Sequence, residues 1–162
     1  MVKKSTDDPT TTSEEDLFAP CGMYCGLCSS YLAYNYNIPK RQGVIFHCKG
    51  CRPRDKQCAF MKKHCILLGN HELKYCSECK EYPCANHNHL EQRYNSKYNY
   101  SYSFQQSLRE IGENGYMFVI DRLKKEHGCP KCGEILCIHN GLCYRCDINQ
   151  IAIMKNYRND PK

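Results

Sequence analysis

The stretch CPKCGEILCIHNGLCYRC, residues 129–146, decides how the chain is read. Cys129 and Cys132 stand two residues apart, as do Cys143 and Cys146, and Gly133 follows the first pair. Such a turn sets two sulfurs on one side of a tight loop, within reach of a single ion, whereas disulfides seldom join such close neighbours. Between the pairs, EILCIH reads as a strand and Asn140-Gly141 suits the positive backbone angles of a hairpin turn. The return strand is then expected to bring the second pair beside the first. The expectation is a four-sulfur zinc ribbon over residues 129–147, with Cys137 a spare thiol on its strand.

Outward from the ribbon the same chemistry recurs. The chain has 15 cysteines in 162 residues, and ten more are grouped: Cys21, Cys25 and Cys28; Cys48 and Cys51; Cys58 and Cys65; Cys76, Cys79 and Cys84. All ten are candidate metal ligands. Gly50 suits the knuckle of CKGC, and the short apolar run VIFHC before it reads as a strand. Cys58, Met61 and Cys65 have helical spacing, which would set Cys58 and Cys65 on one face. The partition favoured by chain order puts Cys25 and Cys28 with Cys51 or Cys58 in one site, and Cys65, Cys76, Cys79 and Cys84 in another. His87, three residues after Cys84, is the best histidine to complete a site. The plainer reading of each histidine is a hydrogen-bonded or surface residue.

Composition supplies the energetic reason for metal. Leu, Ile, Val and Phe number 29 of 162 residues, about 18%, which is low for a self-supporting core. A structural zinc site adds its binding free energy, on the order of 10 kcal/mol, to folding. The formal charge of +6 suggests a nucleic-acid partner until the sites are counted. Each four-thiolate zinc or oxidised four-iron site carries −2, so two sites leave +2 and three leave none. Nucleic acid is therefore an alternative partner that the sequence does not favour, and a protein partner is left open.

The first sixteen residues lack the apolar segment of a secretory signal, and nowhere do eighteen apolar residues run together. The expected home is a reducing cytoplasm, away from membranes, where thiols persist. The expected architecture is an α+β, metal-stapled domain of short helices and cysteine knuckles: a disordered tail over 1–16, a cysteine-rich core over 17–128, the ribbon over 129–147, and a C-terminal helix and tail over 148–162. Helices are expected around Leu27, Tyr31, Leu32 and Tyr34, in SFQQSLREIG, and in NGYMFVIDRLKKEHG, the last with Asn114 as cap and Met117, Ile120 and Leu123 inward. The last segment should pack Ile148, Ile151 and Met154. Tyr98, Tyr100, Tyr102 and Phe104 alternate; they suit a stacking platform for single strands, but ordinary packing is the favoured reading.

CGMYCGLCSSY, CKGC with Cys58 and Cys65, CSECKEYPC, LREIGENG, and CPKCG with His139 and CYRC together resemble the bacterial and archaeal cysteine-rich family known as domain of unknown function 3795. The likeness runs from about Leu17 to Asp147. It implies metal binding and brings no enzymatic activity with it. Cys21, Cys25 and Cys28 also have the C-x3-C-x2-C spacing of radical enzymes that use S-adenosylmethionine, but this chain is too short for the barrel they need. Zinc-bound sulfur is a poor nucleophile, and no segment supplies an oxyanion site, so catalysis is disfavoured. The function expected from sequence is metal binding with about two or three zinc ions in a structural role. An iron-sulfur cluster at the non-ribbon cysteines is the alternative, since thiolates serve either metal.

Overall fold

The computed structural model describes residues 12–55, 59–98 and 101–155. Among the described residues, seven helices carry the fold: α1 (Ser29–Asn35), α2 (Ala59–His64), α3 (Ile66–Gly69), α4 (Ala85–Lys97), α5 (Phe104–Asn114), α6 (Tyr116–His127) and α7 (Ile148–Ile153). Three 3₁₀ turns, Glu15–Leu17, Cys25–Leu27 and Cys76–Glu78, complete the helical set. Among the described residues there is no strand, only three isolated bridges, so the fold is mostly helical and the α+β expectation is corrected.

The reason lies in where the backbone bonds go. Within EILCIH, Leu136 N–H donates to His127 O, Cys137 N–H to Leu142 O and Ile138 N–H to Leu27 O. Three successive donors find three separate segments, and no ladder with one neighbour can grow. The run before CKGC is likewise consumed by a loop, in which Arg41 pairs with Ile45 in both directions. Phe46 is left half exposed.

The α5–α6 hairpin forms as its periodicity predicts. Ser103 caps α5 by accepting from Gln106 N–H at 3.1 Å, and Gly115, at φ +84°, makes the corner. Gly115 rather than Asn114 stands before α6, and Asn114 is the last residue of α5. Val119, Ile120 and Leu123 are buried, whereas Met117 is half exposed, one step outside their stripe. Arg122 locks the pair: its Nε donates to Glu110 at 2.7 Å and its Nη1 to Glu126 at 2.8 Å.

The main core gathers Leu17–Ala19, Met23–Cys25, Leu27, Leu90, Tyr102, Phe104, Leu108 and the inner face of α6. A second, smaller cluster joins Leu32, Ala33, Ile38, Ile45, Cys137, Tyr144 and Ile151. Tyrosine and cysteine thus fill space that aliphatics fill elsewhere. Tyr102 donates to Gly22 O at 2.7 Å, and its ring meets Phe104 edge-on, which is packing. Tyr100 lies outside the described residues. Gly22, at φ +93°, runs so close to α5 that a Cβ there would sit 2.7 Å from Phe104 O.

Four further expectations change. Of the segment assigned to a tail, residues 12–16 are described, and Ser13 Oγ accepts from Asp16 N–H at the start of the first 3₁₀ turn. The helix expected through Cys65 breaks there: Cys65 is extended, with φ −131° and ψ 109°, between α2 and α3. α4 has no counterpart in the sequence reading. In α7, Ile151 is buried and Met154 packs on the second cluster, but Ile148 is 45% exposed and is not part of it.

Candidate metal centre

The ribbon segment does bring its four cysteines together. Gly133 N–H donates to Cys129 O and Asp147 N–H to Cys143 O, each at 2.8 Å, so both C-x2-C loops close with the same i to i+4 bond. Gly133 closes the first at φ +77°, while Asp147 closes the second in an ordinary conformation, φ −108°. Asp147 Oδ2 also accepts from Cys143 N–H at 2.9 Å. The connection between the loops is broader than the two-residue hairpin expected: Gly141 N–H donates to Cys137 O at 2.8 Å, and of the Asn140-Gly141 pair only Gly141 has positive φ. Asn140 instead uses its side chain, accepting from Leu142 N–H at 3.1 Å and donating to Tyr144 Oη at 3.0 Å.

The sulfurs of Cys129, Cys132, Cys143 and Cys146 all lie within 4.8 Å of one another, and Cys132 and Cys143 are 3.5 Å apart. Their proton affinities separate accordingly. The backbone N–H groups of Lys131 and Cys132 pull the Cys129 thiol down to about 7. Cys146, which shares its proton with the Cys132 sulfur, is pushed up to about 12. Burial raises Cys143. Cys129 thus forms its thiolate readily while Cys143 and Cys146 hold their protons, and a cation among the sulfurs would favour the thiolate forms.

The ribbon is docked by its turn. Ser29 N–H donates to His139 Nδ1 at 3.2 Å and Ser29 Oγ lies 3.0 Å from the same nitrogen. An Nδ1 that accepts leaves the ring neutral with its proton on Nε2. Tyr98 meets the ring edge-on at 4.8 Å between centroids. Ile138 N–H bonds Leu27 O, one residue before Cys28, so the ribbon turn sits on the CGLC turn. Sequence reasoning gave His139 and Ser29 no role, because a single buried contact leaves no periodic trace.

The remaining candidates are spread along the chain. Among the described residues, the ribbon quartet is the one group of three or more potential ligands with all ligand atoms within 4.8 Å. Cys25 and Cys51 are in contact, Cys51 N–H donating to Cys25 Sγ at 3.3 Å, with Cys28 and Cys48 beside them. Cys65, Cys76, Cys79 and Cys84, expected as one site, form no such group. Cys76 opens a 3₁₀ turn and its N–H donates to Pro20 O at 2.8 Å, while Cys84 precedes α4. Cys58 lies outside the described residues. Cys21 is buried, and its carbonyl accepts from His87 Nε2 at 2.9 Å. His87, the best histidine candidate, is itself fully buried between Tyr82 and Phe104, burial lowers its basicity, and it joins no group of three or more potential ligands among the described residues. Cys137 is fully buried and its thiol is pushed up to about 12 by desolvation, which suits the spare thiol expected there.

Fold and site together define a small, mostly helical, cysteine-rich domain with a four-cysteine group able to bind a metal ion. Residues 17–89 match the family model for DUF3795, a protein of unknown function, which is the family that the motifs of this segment resemble. The match ends at residue 89, short of the ribbon. No curated protein and no solved structure matches the chain.

Proposed function

We propose that the protein is a structural zinc-binding protein, with one ion held by Cys129, Cys132, Cys143 and Cys146. The observation that carries this reading is the convergence of four sulfurs within 4.8 Å. A tetrahedron with metal–sulfur bonds of about 2.3 Å has edges of about 3.8 Å, close to the 3.5 Å between Cys132 and Cys143. A four-iron cluster would hold its thiolates farther apart, because irons and sulfides fill the middle. The ion would replace the shared protons, and it would tie the end of α6 to the start of α7 through the two loops.

A stabilisation on the order of 10 kcal/mol would match the entire stability of a typical small domain. The protein's role is then that of a stapled binding module in a reducing compartment. Metal analysis and a visible spectrum on anaerobically purified protein test this. The reading expects zinc and no colour, with unfolding of the ribbon on chelation; brown protein containing iron and sulfide contradicts it.

A further inference from the structure

We propose a second thiolate centre, for a divalent metal of the zinc class, formed by Cys25 and Cys28 with Cys48 and Cys51. It lies in the half that matches DUF3795 and goes beyond the ribbon reading. Two C-x2-C turns from separate segments face each other here. Cys51 N–H donates to Cys25 Sγ at 3.3 Å. Cys48 N–H donates to Ser30 O at 3.0 Å, which pins the second loop just beyond Cys28. Arg52 fixes its other end, Nε donating to Phe18 O at 2.7 Å. Gly50 turns the loop at φ +116°, a conformation that few other residues adopt.

Backbone N–H groups reach the sulfurs of both quartets. In the ribbon, the N–H groups two and three residues on point at the sulfurs of Cys129 and Cys143. In the second quartet, those of Ser30 and Tyr31, in the first turn of α1, serve Cys28, the second cysteine of its pair. Arg54 sets a cation near Cys48, beside a group that would carry net negative charge once ligated. Cys137 receives similar N–H bonds from His139 and Asn140 but has no cysteine pair facing it, so the pattern alone does not make a site. This quartet is looser than the ribbon's, since its sulfurs do not all lie within 4.8 Å of one another, and an ion would have to draw them in. Because the ribbon turn packs on Leu27, between Cys25 and Cys28, an ion at either centre would stiffen the seat of the other.

The test is N-ethylmaleimide labelling of the full chain with zinc present, read residue by residue by mass spectrometry, together with the zinc count from native mass spectrometry. Cys28, Cys48 and Cys51 are part-exposed, so folding alone would leave them reactive. The expected result is labelling slowed by about tenfold or more at these three, and one zinc fewer in Cys48→Ser/Cys51→Ser with the ribbon thiols still protected. Unchanged zinc count in that variant, with the ribbon protected, overturns the second centre. Cys143→Ser/Cys146→Ser should still protect Cys28, Cys48 and Cys51. Labelling of Cys129, Cys132, Cys143 and Cys146 in the wild type would instead sink the ribbon reading while leaving the second centre to stand on its own count.

Discussion

Replacing His139 tests whether the ribbon is seated on the first cysteine turn by a specific contact. The ring is 1% exposed, and its Nδ1 takes the Ser29 N–H, a donor whose residue is fully buried. His139→Ala orphans that donor, at about 1–3 kcal/mol, and removes a buried ring packed against Tyr98. The cavity adds about 2–3 kcal/mol, so the loss should be about 3–5 kcal/mol. His139→Asn is the discriminating variant, since Asn Oδ1 can stand where Nδ1 does and accept from Ser29. It should recover about 1–2 kcal/mol of the loss. Urea unfolding followed by circular dichroism, in zinc-containing buffer, measures both. If Ala and Asn were equally destabilised, or both within about 1 kcal/mol of wild type, the Ser29 contact would not be what seats the ribbon.

Gly22→Ala should lose about 3 kcal/mol, from its left-handed backbone and the 2.7 Å approach of a Cβ to Phe104 O; a neutral substitution would refute the close packing against α5. Glu110→Ala should cost about 2 kcal/mol by leaving the largely buried Arg122 short of its main partner, and a double-mutant cycle with Arg122→Ala should show positive coupling. Burial holds the His87 basicity below its usual 6.5, so the unfolded chain binds the extra proton. The stability from its neutral ring is therefore present above about pH 6.5 and lost as pH falls below it. His87→Gln should shrink the difference in stability between pH 7 and pH 5, measured by denaturation at each pH; an unchanged difference would contradict the assignment. Cys137→Ala should leave the zinc count unchanged, and a lost equivalent would make Cys137 a ligand.

What could be read from the sequence was chemistry of short range. The C-x2-C spacing of 129–132 and 143–146 decides sulfur placement within one turn, and four such sulfurs do converge. The α5–α6 hairpin was legible because Ile120 and Leu123 keep a helical period on a helix that is buried on one side. α4 was not, because its buried stripe runs through His87, Leu90 and the part-buried Tyr94, and two of those three do not count as aliphatic. The strands failed for a long-range reason: extended composition at EILCIH says nothing of which segment will accept each N–H, and here the acceptors are His127, Leu142 and Leu27. The break at Cys65 likewise interrupts spacing that is helical on both sides.

The most direct measurement is the mass of the intact, natively sprayed protein and of Cys143→Ser/Cys146→Ser, both purified with zinc. The account requires the variant to lose one zinc relative to the wild type, because two of the four sulfurs gathered within 4.8 Å are gone. Equal zinc counts in the two proteins would show that residues 129–146 fold around no ion, and the central claim would fail.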